Sequence, residues 1–203
     1  MRVLLLSPYP ELLQAPLRAC GDEIAASNSP PVEIDWHSDF VVMFGYRHIL
    51  KSSILAALAQ PIINIHISYL PWNKGADPNF WSWFDNTRKG VSIHVADPVV
   101  DTGPILAQSE VLFAEPERET LATSYDALRA RAVKLFADNW SSLRAGKISG
   151  KAQSGGTFHR RKDKDTWWSL LPDGYDTPVS KIVELGSRSA VAQASREGDR
   201  RDR

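Results

Sequence analysis

Residues 39–66 read DFVVMFGYRHILKSSILAALAQPIINIH, and this stretch decides the fold class. After the opening aspartate, residues 40–44 are apolar without the alternation of a half-exposed strand, which is typical of a strand covered on both faces. A turn at residues 45–48 and a helix over residues 51–59 precede a second apolar strand at residues 61–66. Strand, helix and strand at this spacing predict a crossover unit with parallel strands, and therefore an α/β protein.

The second strand ends in two polar residues that share one face. Asn64 and His66 lie two positions apart, and ligand sites in parallel sheets lie at the carboxyl ends of strands. Asp101 opens an Asp-Thr-Gly turn 37 positions after Asn64. Each residue alone has a structural interpretation, as a polar cap, a turn residue or a self-bonded aspartate. Together they supply an amide donor, a proton carrier and a carboxylate, which is the minimum set for acyl transfer.

Two other histidines and the single cysteine predict no further site. His94 falls within a strand-like run and His48 in a turn, and neither has a patterned partner, so we interpret both as non-catalytic. No metal site is predicted, because no His, Asp or Glu cluster has ligand spacing. Cys20, alone in the chain, excludes an internal disulfide framework and a cysteine-based zinc site.

Composition is that of an ordinary globular chain. Of the 203 residues, 43% are hydrophobic and 24% charged, and this length predicts one main domain. The 24 basic and 24 acidic residues cancel, so no overall field attracts a polyanion. No apolar run approaches the roughly 20 residues that span a bilayer, and residues 1–6 are interpreted as a first strand rather than a signal. We expect a cytoplasmic protein without membrane contact.

Several further motifs stand in order around Asn64 and His66. Asn64-Ile-His66 is followed by Ser68-Tyr-Leu-Pro71 and later by Asp101-Thr-Gly103. With Gly45-Tyr-Arg-His-Ile-Leu50 and Gly90-Val-Ser-Ile-His94, these motifs make the chain resemble the formyltransferases that use 10-formyltetrahydrofolate. The resemblance implies a Rossmann-like formyltransferase fold, with parallel strands, a shortened N-terminal half-sheet, a long C-terminal helix and a small C-terminal extension.

The resemblance also implies an activity. In style the sequence is closest to sugar-nucleotide N-formyltransferases and to the formylation domains of non-ribosomal peptide synthetases. We therefore expect formyl transfer from 10-formyltetrahydrofolate to a primary amine of a small molecule, with an amino-sugar nucleotide favoured. The alternatives are an aminoacyl group on a carrier protein, hydrolysis of the formyl donor, and a non-catalytic folate-binding relative. A tRNA substrate is not expected, since the net charge is zero and no barrel domain follows the long helix; a homodimer is left open.

Roles for individual residues follow from the same resemblance. Asn64 and His66 would donate to the oxygen of the tetrahedral centre, while Asp101 would favour the imidazolium form of His66 or relay the amine proton. The folate would contact two loops that contain Tyr46, Arg47, His48, Ile49, Leu50, Ala96, Asp97 and Val100. The acceptor would contact a loop that contains Trp72, Asn73, Lys74, Asp77 and Trp81. The alternative for the tryptophans of this loop is packing against the core.

The long helix and the composition beyond it suggest how the chain is divided. Apolar residues recur at threes and fours between residues 121 and 140, and Gly146 fits the end of that helix. Beyond Lys151 the sequence becomes rich in serine, glycine and basic residues. We expect a catalytic domain over residues 1–150, an extension over residues 151–186 that packs near the acceptor site, and a disordered tail over residues 187–203.

Overall fold

The computed structural model describes residues 1–201, with side chains described as far as residue 190. Its strands are β1 Arg2–Leu6, β2 Glu23–Ser27, β3 Phe40–Phe44, β4 Ile62–His66, β5 Lys74–Gly75, β6 Gly90–Val95, β7 Ile105–Glu110 and β8 Phe158–His159. Its α-helices are α1 Glu11–Ala19, α2 Ser52–Ala57, α3 Pro78–Phe84, α4 Leu121–Arg144, α5 Asp165–Trp168 and α6 Val179–Arg201. In this part of the chain, none of the helices combines the length and the apolarity of a membrane span.

Six strands form the central sheet, in the order β2-β1-β3-β4-β6-β7. The first four are parallel, and β6 and β7 each run antiparallel to their neighbours. The crossover from β3 through α2 to parallel β4 is the unit that residues 39–66 predict, so the α/β fold class is confirmed.

Apolar side chains cover both faces of the sheet. Alternate residues of β3 and β4, such as Val42 and Ile63, pack with α1 and α4 on one face. Val41 and Ile62 belong to a cluster on the other face, to which Leu55 of α2 also contributes. Burying a side chain of this size stabilises a fold by about 1.5–3 kcal/mol, and this explains why β3 carries no polar residue.

Helix α4 is the main cover of the first face. It begins at a capping box in which Thr120 and Thr123 each satisfy the other's backbone N–H. Gly146, at φ +62°, lies just beyond its end, where a left-handed residue commonly stops a helix. Near that end the indole N–H of Trp140 donates to the buried Asp22 carboxylate at 2.8 Å. The amphipathic pattern in the sequence therefore predicts both the helix and its end.

A third apolar cluster joins the later helices. Its buried members are Phe80, Trp81, Trp83, Leu121, Leu171, Val179 and Ile182. Helix α6 continues to Arg201, so residues 187–201, for which the sequence predicts disorder, are helical in the structure, and residues 202 and 203 lie outside the described residues. The division at residues 150 and 186 stays a prediction.

Candidate active site

The pairing of β4 with β6 places four polar residues on one face of the sheet. In the antiparallel register Asn64 lies opposite His94, and His66 opposite Ser92. Residues that are directly opposite in a sheet point to the same side, as do residues two apart on one strand. This is the face that also holds Ile62 and Leu50, and all four residues lie toward the carboxyl end of β4.

Asp101 lies over these residues, in the loop that connects β6 to β7. One of its carboxylate oxygens, Oδ1, accepts a hydrogen bond from Asn64 Nδ2 at 3.0 Å and lies 3.3 Å from His94 Nε2. The other, Oδ2, accepts from the Gly75 N–H at 2.8 Å and lies 3.4 Å from His66 Nδ1. The side chains of Asn64, His66 and Asp101 therefore converge, as the sequence predicts. His94 and the Gly75 N–H contact the same Asp101 carboxylate.

The carboxylate of Asp101 is buried, with 8% of the residue exposed, yet its pKa is low. Burial by itself raises this pKa, because it removes water from the charged form. The nearby His66 ring, the hydrogen bond from His94 and the Gly75 N–H outweigh burial and hold the pKa of Asp101 well below its usual range. Asp101 is therefore a fixed negative charge at neutral pH and a weak base.

Both ring nitrogens of His66 already have a partner. Nε2 lies 2.9 Å from the Asn73 carbonyl oxygen, and since a carbonyl only accepts, Nε2 carries a hydrogen and donates it. Nδ1 faces Asp101 and lies 3.4 Å from its Oδ2. The Asn73 carbonyl and the Asp101 carboxylate thus orient the ring from both sides.

His94 lies in the site, and its contacts contradict the expectation that this residue has no partner. Its Nδ1 donates to the Val95 carbonyl at 2.8 Å, and its Nε2 lies 3.2 Å from Asn64 Nδ2 in addition to facing Asp101. The sequence holds the missing signal in the pair Ser92 and His94, which repeats the spacing of Asn64 and His66. Only the register of β4 against β6 reveals that the two pairs face each other. His48, by contrast, lies at a ring-centroid distance of 5.2 Å from Tyr46, in the loop after β3.

The two loops predicted to contact folate lie side by side. Tyr46 and Leu50 from one loop and Ala96 from the other belong to a single apolar cluster on the Asn64 face. Ile49 and Val99 expose 67% and 61% of their surfaces on these loops. Exposed apolar side chains beside a polar site provide a surface on which a flat heterocycle can pack. Arg47, Asp97 and Val100 lie in the same two loops, with Arg47 and Asp97 exposed.

Most residues predicted to contact the acceptor are occupied within the protein. Asn73 is fully buried and bonded to Thr87 and Thr157, Lys74 Nζ donates to the Gly155 carbonyl, and Trp81 stacks on His159. Asp77 forms an ion pair with Lys164. The position of Asn73 gives it a structural role and does not support a contact with substrate. Trp72, which is 39% exposed, keeps an accessible indole.

Among the described residues, no group of three or more His, Cys, Asp or Glu side chains is arranged to hold a metal ion. The site offers amide and imidazole donors around a buried charge, which suits stabilisation of a developing oxyanion.

Comparison with known proteins relates the chain to formyl-transferring enzymes. The family model described as formyl transferase matches residues 32–139. The formyltransferase PseJ from Anoxybacillus kamchatkensis, solved with UDP-4,6-dideoxy-4-formamido-L-AltNAc and tetrahydrofolate, is 41% identical. Its TM-score is 0.83, over 92% of this chain and 100% of that one.

Two less similar proteins that match the chain are also named as formyltransferases. A sugar N-formyltransferase from Shewanella sp. is 20% identical, with a TM-score of 0.74 over 92% of this chain and 87% of that one, which shows a shared fold. Methionyl-tRNA formyltransferase of Thermodesulfovibrio yellowstonii is 33% identical over 119 residues, which are 58% of this chain and 38% of that protein. The match thus spans little more than a third of this methionyl-tRNA formyltransferase and of a second one, from Trichlorobacter lovleyi.

Proposed function

The chain belongs to the formyl transferase family, and on that premise we propose that it moves a formyl group from 10-formyltetrahydrofolate to the primary amine of an amino-sugar nucleotide. The observation that carries the proposal is the convergence of Asn64, His66 and His94 on the buried Asp101 carboxylate. The similarity to PseJ, over nearly the whole chain, supports both the folate donor and the nucleotide-sugar class of acceptor.

In the proposed reaction the amine nitrogen forms a bond to the formyl carbon and the bond from that carbon to the folate nitrogen breaks. The amine loses one proton and the folate nitrogen gains one, so the balance is complete without an oxidant or a metal. In the tetrahedral species the formyl oxygen carries negative charge. Asn64 and His66 are the groups beside it that can donate to this oxygen, each donor contributing about 3–4 kcal/mol.

Donation to the substrate requires a small rearrangement of the site. The Asn64 amide nitrogen donates one N–H to Asp101 and lies 3.2 Å from His94 Nε2, so the formyl oxygen would accept the N–H that Asp101 does not use. His66 would similarly exchange the Asn73 carbonyl for the substrate. Active-site hydrogen bonds commonly reach their final geometry only when substrate is bound.

The low pKa of Asp101 decides which of its two expected roles we propose. A carboxylate that stays ionised far below neutral pH accepts a proton poorly, so Asp101 is a weak general base. Its charge instead orients His66 and His94. The proton then passes from the amine to the folate nitrogen through solvent or the His66 ring.

Release of tetrahydrofolate tests the proposal. The purified chain would be incubated with 10-formyltetrahydrofolate and, in turn, with UDP-amino sugars, free amino acids, an aminoacyl carrier protein and aminoacylated tRNA. We expect release that depends on a UDP-amino sugar, with an N-formyl product seen by mass spectrometry, and loss of that release in His66→Ala. Release without any acceptor would indicate hydrolysis, and folate binding without turnover would indicate a non-catalytic relative. Turnover only with aminoacylated tRNA would overturn the proposed acceptor and favour the acceptor class of the methionyl-tRNA formyltransferases.

A further inference from the structure

The chain returns to the active site after α4, through residues 151–159, which we call the return segment. Lys151 exchanges two backbone hydrogen bonds of 2.8 Å with Ile105 at the start of β7. At the other end, Thr157 accepts the Asn73 N–H at 2.9 Å through its hydroxyl and the Lys74 N–H at 3.0 Å through its carbonyl. The return segment is therefore held at both ends, by the first residue of β7 and by the residues at the start of β5.

Gln153, in the middle of the return segment, contacts the Asp101 turn directly. Its amide nitrogen donates to the Asp101 carbonyl at 3.0 Å and to the Gly103 carbonyl at 2.7 Å. The side-chain oxygen of Gln153 is buried and has no partner among the described residues. The donor end of this amide is thus fully used, and both of its bonds are made to the turn that carries the carboxylate.

The Asp101 turn needs support from outside because its backbone is unfavourable. Asp101 adopts φ +58°, a left-handed conformation that costs a residue other than glycine roughly 1–2 kcal/mol. The loop has bonds of its own, in which the Thr102 hydroxyl donates to the Val99 carbonyl at 2.9 Å. These bonds join the turn to the residues that precede it, whereas Gln153 holds the carbonyls of Asp101 and Gly103 from a distant segment.

We propose that Gln153 is a positioning residue for the reaction, acting through the Asp101 backbone rather than on the substrate. The geometry explains why this matters: Oδ1 and Oδ2 of Asp101 face different partners, so a rotation of the turn would weaken the contacts with Asn64 and His66 together. The inference rests on the proposed function for its kinetic readout. Its structural content, that Gln153 fixes the Asp101 carboxylate against the histidines, can be measured without turnover.

The variant Gln153→Met removes the two donors and keeps the length of the side chain. Because the return segment is held by Lys151 and Thr157, we expect the variant to fold. Misplacement of a catalytic group by about 1 Å costs up to about a hundredfold, so we expect kcat to fall by roughly ten- to a hundredfold while KM for donor and acceptor changes little. Gln153→Asn, which keeps the amide but withdraws it by one methylene, should fall similarly and replaces the first variant if that one does not fold.

Gln60→Met is the matched control. Gln60 is also a partly buried glutamine whose amide nitrogen donates to a backbone carbonyl, that of Trp36, at 3.1 Å. It precedes the amino end of β4, six residues and about 20 Å of strand from His66. We expect this variant to lose a similar amount of thermal stability and to keep kcat.

The second readout is the nitrogen and proton NMR signals of the imidazole rings, which report their contact with the Asp101 carboxylate. We expect the signals of His66 and His94 to move in Gln153→Met and to stay in Gln60→Met. Unchanged kcat and unchanged imidazole signals in a folded Gln153 variant would overturn the inference. If the wild-type chain releases no tetrahydrofolate with any acceptor, the proposed function fails, while the NMR comparison still decides the role of Gln153.

Discussion

Replacing Asp101 by asparagine removes one charge from the centre of the site and changes its shape little. The carboxylate has donors on two sides, with Asn64 and His94 at Oδ1 and Gly75 and His66 at Oδ2. An asparagine has one carbonyl oxygen, so it satisfies one side and turns an NH₂ group toward the donors on the other. Losing hydrogen bonds to a charged acceptor costs about 1.5–3 kcal/mol each. A neutral amide is easier to bury, and this offsets part of the cost.

We therefore expect Asp101→Asn to lower the free energy of unfolding by about 2–4 kcal/mol at neutral pH. Urea unfolding would measure this, with Asp39→Asn as control, because Asp39 is exposed and accepts one backbone N–H, that of Arg2, at 2.7 Å. Formyl transfer should fall by about 10²–10⁴-fold, since the imidazole loses the charge that orients it. The control should change neither quantity appreciably.

The pH dependence of the same comparison tests the low pKa of Asp101. A carboxyl whose pKa is lowered by folding stabilises the protein above its unfolded pKa of about 3.9, and this contribution is lost as the pH falls through the lower folded pKa. The stability difference between wild type and Asp101→Asn should be constant near neutral pH and should shrink below about pH 4. A variant with wild-type turnover, or a stability difference that fades already between pH 7 and pH 5, would refute the reasoning.

Three further substitutions distinguish effects on formyl transfer from effects on stability. In Gly103→Ala the added Cβ would lie 1.9 Å from the Val95 carbonyl oxygen, so we expect a loss of at least about 2 kcal/mol in urea unfolding together with reduced transfer; wild-type stability would show that the turn is free to move. His94→Ala should reduce kcat by roughly tenfold or more in the tetrahydrofolate assay, because His94 Nε2 lies 3.3 Å from the Asp101 carboxylate, and unchanged kcat would show that this histidine has only a structural role. Trp140→Phe removes the N–H that bonds buried Asp22, so it should lower stability by about 1–3 kcal/mol while kcat stays at the wild-type value, and a matching loss of kcat would mean that global stability limits the assay.

Local sequence patterns predict much of this protein because they report on burial. The unbroken apolar run of β3 indicates a strand with both faces covered, and the periodic apolar residues of α4 indicate a helix against a sheet. The two-residue spacing of Asn64 and His66 predicts a shared face by the geometry of a single strand. These inferences need no knowledge of what lies opposite.

Residues whose role depends on a distant partner escape such patterns. His94 is interpreted as isolated in the sequence, yet it lies against Asn64 and Asp101. Asn73 resembles a loop residue free to meet a ligand, but Thr157, 84 positions away, accepts and donates hydrogen bonds with it. Each of these contacts depends on how strands and loops far apart in the chain are aligned.

The sequence by itself determined the α/β class, the crossover that ends in Asn64 and His66, and the family to which those motifs belong, because periodicity and motif order are local properties. Tertiary structure alone decided that His94 joins them and that Gln153 holds the Asp101 turn from a segment 52 positions later. The physical reason is that an antiparallel register and a returning loop are chosen by the packing of the whole core, where a shift of one residue would turn every side chain to the opposite face.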